Sequence, residues 1–227
     1  MDNLNVLVGN LVDVLTIAES KIDSTFPNTQ FQLPNFRLPY RLDVSERSGG
    51  LLTFVRKDIL SRQLTDFIFP KDIQVIPIEL NFRKQKWLLL SVYKPPRQPP
   101  VYFLEKLSEA IVYYSKFNNI IINGDINLEP SNPVLLHFLE INSFYNHMKE
   151  KTCWKSSKGS TIDFIISNKK HSLMNTGTFE TGLSDHHLLI FTMLKTTHDR
   201  LPPKIMKYRQ WKNFNENLFK NEISHIA

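Results

Sequence analysis

The sequence predicts a mixed α/β (α+β) fold in which β-sheets pack against helices. Several apolar runs of strand length follow one another with no helix between them, which disfavours a regular parallel sheet with alternating helices. Two other segments place apolar residues at helical spacing between such runs. The chain has 227 residues, 41% apolar and 22% charged, which is enough for one domain with a large core.

The predicted strands are short apolar runs bounded by turn residues. They are preceded by an apolar segment, residues 4–15, that we expect to be helical. Pro-containing segments at 24–39 and 94–100 are predicted loops. In chain order, the predicted strands are residues 14–18, 49–55, 73–80, 87–93, 119–122, 161–167 and 188–194.

The predicted helices are identified by spacing and by end signals. Residues 101–117 carry apolar side chains at helical spacing. Residues 133–141 form the next predicted helix, with Asn132 as the N-cap and Pro133 at the first position. After Thr197 the composition changes, and we expect residues 1–196 to form the domain and 197–227 a tail or linker with a weak amphipathic helix at 216–226.

Charge and cysteine content narrow the function classes. The net charge of +6 favours a polyanionic partner, although a basic surface alone is weak evidence for nucleic acid. The single cysteine, Cys153, excludes an internal disulfide and a multi-cysteine metal site. No apolar run approaches the roughly 18 residues that span a bilayer. The acidic start at Asp2, with no basic region, is not that of a signal peptide.

Polar clusters stand at the ends of separate apolar runs. They contain Glu19, the Gly-Asp-Ile-Asn of residues 124–127, Asp163, and the Ser-Asp-His of residues 184–186. Carboxylate oxygens hold Mg²⁺, and a His with an acidic partner handles protons, so this inventory suits metal-assisted cleavage of a phosphodiester. Tyr93 ends another strand with a hydroxyl that suits a phosphate, although most such tyrosines are packed aromatics.

Each cluster also has a plain structural interpretation. Gly, Asp and Asn are common turn residues, so residues 124–127 are equally a strand-to-turn junction. His186 is equally a solvated side chain of a surface turn, and His187 competes for any role given to it. Asp163, inside a predicted apolar strand, is either paired with a His or directed outward. Glu19 lies at the end of a predicted strand, and a glutamate in that position usually faces solvent.

Short sequence motifs contain these clusters and follow one another along the chain in an order that is typical of a known family. They are Ile-Ala-Glu-Ser-Lys at 17–21, Gly-Gly-Leu at 49–51 with Arg-Lys at 56–57, Tyr-Lys-Pro-Pro at 93–96, Gly-Asp-Ile-Asn at 124–127, Thr-Ile-Asp-Phe-Ile at 161–165 and Ser-Asp-His-His at 184–187. Together they resemble the endonuclease/exonuclease/phosphatase superfamily over residues 4–193. The closest resemblance is to the apurinic-type endonuclease domain of non-LTR retrotransposon polyproteins.

The resemblance implies a four-layer sandwich of two mixed β-sheets packed face to face and flanked by helices. It implies a site at one edge, where the loops at the strand ends gather. The implied activity is Mg²⁺-dependent nicking of DNA that leaves a 3′-hydroxyl, with Mn²⁺ as the alternative ion. A reverse transcriptase domain in the parent polyprotein is the implied partner, and DNA as substrate implies nuclear action.

Metal and water roles follow from the same resemblance. Glu19 is implied as the main Mg²⁺ ligand, and Asp185 as a support of the metal or of the His. Asp125 and Asn127 are implied as the pair that activates the attacking water and positions the phosphate.

Phosphate roles are implied for the remaining residues. Tyr93 matches the tyrosine that contacts the phosphate, and Asp163 matches the residue that orients His186. His186 is implied to contact the scissile phosphate. Whether Asp125 or His186 deprotonates the water stays open.

The beginning and the end of the chain depart from the resemblance. Relatives open with a strand that carries an Asn at the metal site, and Asn3, Asn5 and Asn10 lie in a different context. We therefore expect an N-terminally truncated domain without that strand, and a tail that begins the linker to an absent reverse transcriptase. Two alternatives stay open: an inactive remnant that keeps the fold, and a phosphoesterase acting on another substrate, such as a phosphoinositide.

Overall fold

Two units make up the chain in the computed structural model, residues 1–196 and residues 197–227. The structure describes residues 12–82, 84–155, 157–180, 188–194 and 215–224. Within these ranges, no helix has both the length and the apolar character that a membrane crossing requires.

A six-stranded mixed sheet forms the centre of the first unit. Its spatial order is β4-β5-β6-β7-β9-β8. The pair β6–β7 is parallel and the other neighbours are antiparallel. The strands are β4 (Leu60–Gln63), β5 (Gln74–Phe82), β6 (Gln85–Tyr93), β7 (Ile120–Asp125), β8 (Tyr145–Asn146) and β9 (Asp163–Ser167).

A three-stranded antiparallel sheet packs on one face of the large sheet. It consists of β1 (Val14–Ala18), β2 (Tyr40–Leu42) and β3 (Leu51–Val55), in the order β1-β3-β2. The buried core between the two sheets includes Leu51, Val55, Ile76, Ile78 and Leu89. The opposite face of the small sheet is covered by apolar side chains of residues 22–36, a segment that contains a short 3-10 helix, Asn28–Phe31.

Two helices cover the other face of the large sheet. Helix α1 (Pro100–Tyr113) buries Phe103, Leu104, Leu107 and Ala110 against the sheet, at the spacing of one helical face. Helix α2 (Pro133–Ile141) begins at Asn132, whose side chain accepts hydrogen bonds from the Val134 and Leu135 N–H groups. Such a cap satisfies backbone donors that have no partner within the helix. Because α1 connects β6 to β7, it permits their parallel pairing.

A hairpin and a final helix complete the described structure. Strands β10 (Leu173–Glu180) and β11 (Leu188–Leu194) pair antiparallel, and Leu173 packs with Met148 and Ile165. In the second unit, helix α3 (Glu216–Ser224) carries an ion pair between Lys220 Nζ and Glu216 Oε1 at 2.8 Å.

The predicted fold class is confirmed, because two sheets of three and six strands pack face to face with few helices. The sandwich prediction placed helices on the outer face of the small sheet. Among the described residues, that face is covered instead by an irregular segment with one short 3-10 helix. Helix α1 ends at Tyr113 where the prediction extended to residue 117. Residues 4–11 of the predicted N-terminal helix lie outside the described residues, and residues 14 and 15 belong to β1.

Candidate active site

The corner at the end of β7 depends on a glycine. Gly124 has φ +137°, and a Cβ added there would lie 1.9 Å from the Val92 carbonyl oxygen of the neighbouring strand. No side chain fits in that space, so only glycine lets β7 keep its parallel pairing with β6 up to Asp125. Asp125 is therefore held in register with Tyr93, and its side chain is only 3% exposed.

Tyr93 joins the two sheets at this edge. Its hydroxyl donates a hydrogen bond of 3.2 Å to Glu19 Oε1, which links the end of β6 to the residue that follows β1. Burial and the nearby carboxylates of Glu19 and Asp125 raise the pKa of Tyr93 far above its usual value. The phenol therefore stays protonated at neutral pH and acts as a donor beside the two carboxylates.

The turn after Asp125 is fixed by its own side chains. Asn127 has φ +50°, and its N–H donates to Asp125 Oδ1 at 2.9 Å. Its side-chain Nδ2 donates to the Lys94 carbonyl at 2.9 Å, and the Lys94 N–H donates to the Asp125 carbonyl at 2.8 Å. These bonds tie the turn after β7 to the end of β6, so Asp125 and Asn127 form one unit with Tyr93 and Lys94.

A glycine turn from the neighbouring strand holds Glu19. Glu19 has φ +53°, and the N–H groups that follow it donate to the carbonyls of Gly50 and Gly49, at 3.2 and 2.9 Å. The Gly50 N–H in turn donates to Gln74 Oε1 at 2.7 Å. Gln74 is the register partner of Tyr93. The turn at Gly49 and Gly50 therefore connects the backbone around Glu19 to the large sheet next to Tyr93.

A pocket of about 350 Å³ opens at this edge. The residues that line it come from both sheets and from the loop after β6: Glu19, Ser48, Gly49, Gln74, Tyr93, Pro95, Pro96 and Arg97. Among the described residues that line the pocket, Arg97 is the cation, and it is exposed. A carboxylate, a phenol donor and a guanidinium in one open pocket suit the binding of a phosphate together with a cation.

Asp163 lies beside the corner formed by Asp125. It is half-buried and pairs with Asp125 in the antiparallel register of β7 and β9. The prediction placed it in the middle of a strand beginning at Thr161, but β9 begins at Asp163. The strand does not extend further toward Thr161, because the Ile162 and Asp163 N–H groups donate to Thr152 Oγ1 and not to a neighbouring strand.

The predicted site residues divide into two sets. The structure brings Glu19, Tyr93, Asp125 and Asn127 together and places Asp163 on the adjacent strand. Asp185 and His186 lie outside the described residues, as does His187. Their predicted roles, and the pairing of Asp163 with His186, stay predictions.

The donor set is compatible with a magnesium ion. Among the described residues, no group of three or more His, Cys, Asp or Glu side chains is placed to hold a metal. Mg²⁺ in phosphate enzymes typically takes one or two carboxylates and completes its shell with water and substrate oxygens. Glu19, in a pocket open to solvent, provides such a carboxylate. The residues therefore fit a magnesium site that the substrate completes.

Sequence reasoning missed several residues of this edge. Lys94 and Gln74 received no role, although they hold the two turns that carry Asn127 and Glu19. Their neighbours in sequence were recognised, but the polar contacts depend on strand pairings that the local sequence does not specify. A hydroxyl network between the sheets was also missed: Thr16, Thr53 and Ser91 meet at 2.9–3.4 Å, and Asn123 donates to Thr16 at 3.1 Å.

The family model of the Endonuclease/Exonuclease/phosphatase family matches residues 3–186 of the chain. The chain belongs to this family. Enzymes of the family are hydrolytic nucleases and phosphatases that generally use divalent metals. The predicted resemblance is therefore confirmed at the level of the superfamily. No curated protein sequence matches the chain.

Solved structures of family members share the fold. The endonuclease domain of TRAS1, a telomere-specific non-LTR retrotransposon, is 14% identical with a TM-score of 0.66, over 87% of this chain and 93% of that domain. The AP endonuclease of Leishmania major is 10% identical with a TM-score of 0.69, over 86% of this chain and 82% of that one.

A further family member was solved with nucleic acid. The 3′ phosphatase NExo from Neisseria, bound to a product DNA hairpin, is 15% identical with a TM-score of 0.62, over 86% of this chain and 93% of that one. At these identities the likeness shows a common fold, and the substrate of this chain has to be argued from its own residues.

Proposed function

We propose that the chain is a Mg²⁺-dependent phosphodiesterase of the retrotransposon endonuclease type, which nicks DNA and leaves a 3′-hydroxyl. The observation that carries the proposal is the contact between Tyr93 and Glu19, beside Asp125. The phenol donor and the Glu19 carboxylate line one open pocket, and a second carboxylate, Asp125, lies at the next strand end in register with Tyr93. The net charge of +6 supports a polyanionic substrate.

Each residue has a distinct task in this proposal. Glu19 holds the ion, which when bound neutralises charge on the phosphate and on the leaving oxygen. The Tyr93 hydroxyl donates its single proton to Glu19 in the free chain and redirects it to a phosphate oxygen when substrate enters. Asp125 and Asn127, fixed by the hydrogen bond between them, orient the attacking water and the phosphate. Asp163 orients His186, which contacts the scissile phosphate, and Asp185 supports the metal or the His.

Nicking of supercoiled plasmid tests the proposal. We expect relaxation of the plasmid with Mg²⁺, none with chelator, and ends that a DNA polymerase extends without prior phosphatase treatment, because the product carries a 3′-hydroxyl. A panel with apurinic DNA, DNA carrying a 3′-phosphate and a phosphoinositide assigns the substrate. Preferred hydrolysis of the phosphoinositide contradicts the DNA proposal, and a folded chain inert on the whole panel contradicts catalysis.

We expect His186→Ala to abolish nicking and to leave the melting temperature unchanged. An imidazole that contacts the scissile phosphate contributes only in the transition state, by about 10²- to 10⁴-fold. The measurement is the initial rate of plasmid nicking beside two controls, His187→Ala and His171→Ala. His171 is exposed and belongs to none of the motifs that carry the resemblance. If His187→Ala is the inactive variant, the assignment to His186 is wrong.

We expect Arg97→Ala to weaken DNA binding more than turnover. The loop that carries Arg97 is braced, because Gln98 Nε2 donates to the Asp72 carbonyl at 2.8 Å and the Tyr102 hydroxyl donates to Asp72 Oδ1 at 3.3 Å. A guanidinium carried by a braced loop at the pocket suits a phosphate oxygen. Loss of one phosphate contact raises KM by about tenfold and reduces the salt dependence of binding by about one unit of slope.

The control for Arg97 is Lys116→Ala, which removes an exposed cation near the end of helix α1. Both variants lower the net charge equally. Equal changes in KM and in the salt slope for the two variants contradict a specific contact by Arg97.

A further inference from the structure

A lysine is buried under the candidate site, and it forms no ion pair with any residue that the structure describes. Lys94 is 1% exposed and is among the largest fully buried side chains. The other buried charged side chains among the described residues are Glu79 and Asp125. Lysine is almost never fully buried unless paired, because removing an ammonium from water is costly. Such a side chain is expected to have a compensating role.

Glu79, a buried charged residue of the same sheet, is paired with cations. Its carboxylate accepts two hydrogen bonds from Arg62, at 2.6 and 3.0 Å, and one ion pair from Lys86 at 3.3 Å. Lys94 Nζ, in contrast, donates to the Pro95 carbonyl at 3.1 Å, and no described carboxylate lies within ion-pair distance. Burial lowers the pKa of Lys94, and attraction by the Asp125 carboxylate acts in the opposite direction.

The backbone of Lys94 is part of the site itself. Its N–H donates to the Asp125 carbonyl, and its own carbonyl accepts from Asn127. Its side chain closes back onto Pro95, which lines the pocket. The residue thus contacts the end of β6, the turn after β7 and the start of the pocket loop.

We propose that Lys94 is a positioning residue of this site, whose buried ammonium balances the charge of Asp125 and fixes the corner between Tyr93 and Pro95. Its effect on the reaction rests on the proposed function. The coupling between Lys94 and Asp125 is a property of the folded chain alone. The two parts are therefore measured separately.

Thermal unfolding of a double-mutant cycle measures the coupling. The variants are Lys94→Met, which keeps the volume and removes the charge, Asp125→Asn, and the combination of both. Removing a buried, unpaired cation in favour of an apolar side chain is neutral or stabilising, unless it also removes an attraction. We expect Lys94→Met to raise the melting temperature more in the Asp125→Asn background than in the wild type, by about 2 °C or more.

A second variant guards against a failure of Lys94→Met to fold. Lys94→Gln keeps a donor for the Pro95 carbonyl and removes only the charge, and we expect the same difference between the two backgrounds. Lys116→Met is the matched control for an exposed lysine, and we expect its shift to be the same in the two backgrounds, whatever its contact with the Phe117 ring contributes. Equal shifts of the Lys94 variants in both backgrounds overturn the coupling.

Nicking kinetics measure the positioning. We expect both Lys94 variants to lose about 10- to 100-fold in kcat, with KM within about twofold, as for partners that orient reacting groups. Wild-type kcat in the variants, or a loss that merely follows the unfolded fraction, overturns the proposal. If the wild-type chain does not nick, the proposed function fails, and the thermal cycle alone decides: coupling supports the role of Lys94 and additivity overturns it.

Discussion

We expect Glu19→Gln to reduce Mg²⁺-dependent nicking by about 10²- to 10³-fold, the usual cost of removing one fixed electrostatic group from a reaction site. The amide oxygen of glutamine still accepts the hydrogen bond from Tyr93, so the contact between the two sheets is kept. What is lost is the charge that holds a divalent ion. The measurement is the initial nicking rate over a Mg²⁺ titration, together with the melting temperature.

The matched control for this substitution is Glu105→Gln, an exposed glutamate on helix α1. It removes the same charge from the opposite face of the large sheet, so we expect no change in rate. A Glu19→Gln chain that is folded and as active as the control excludes Glu19 as the metal ligand. A chain that is inactive because it is unfolded shows a lowered melting temperature, and Glu19→Ala then repeats the test.

The backbone conformation at Glu19 supports the prediction that its side chain has a functional role. A non-glycine residue with φ +53° is uncommon, and here the backbone is held by hydrogen bonds to the Gly49 and Gly50 carbonyls. The Gly50 N–H donates in turn to Gln74, on the strand next to Tyr93. The carboxylate is thus presented to the pocket by a chain of contacts through both sheets, which is the arrangement expected of a functional group.

Most of the long strands and the described helices were predictable because their signals are local. Strand β11 has the predicted bounds, and α2 lies where its Asn cap and first-position Pro placed it. Strands β2, β4, β8 and β10 were missed. Strands β2, β4 and β8 have two to four residues, are at most half-buried and lie at sheet edges, where neither alternation nor an apolar run develops. Strand β10 is longer, but its polar middle and the register shift between Met174 and Gly177 interrupt the apolar pattern.

The proximity of several predicted site residues followed from motif order, although their roles stay predictions and their supporting contacts could not be predicted. Motif order identified Glu19, Tyr93 and Asp125, and the structure places them together. The burial of Lys94 and the contact of Gln74 with Gly50 arise from strands distant in sequence. Gly124 was interpreted as a turn residue. The structure shows that it lies within β7 and that a neighbouring carbonyl occupies the space of a Cβ.

We expect Gly124→Ala to lower the free energy of unfolding by about 3 to 5 kcal/mol, which is among the larger effects of single substitutions. The added Cβ would lie 1.9 Å from the Val92 carbonyl oxygen, so β6 and β7 would have to separate at the residues next to Asp125. For a domain of this size, the melting temperature would fall by about 6 to 20 °C. The measurement is chemical or thermal unfolding of the variant beside the wild type.

Gly159→Ala separates the clash at Gly124 from the ordinary strain of a positive φ. Gly159 has φ +63°, but its added Cβ meets the Trp154 ring at 3.0 Å, a contact that a side chain can relieve. The left-handed conformation alone costs an L-residue about 1 to 2 kcal/mol. If the two variants lose equal stability, the close approach of β6 to β7 is not what requires glycine. If Gly124→Ala loses more, the residual folded fraction should also nick poorly, because the same displacement moves Asp125 away from Tyr93.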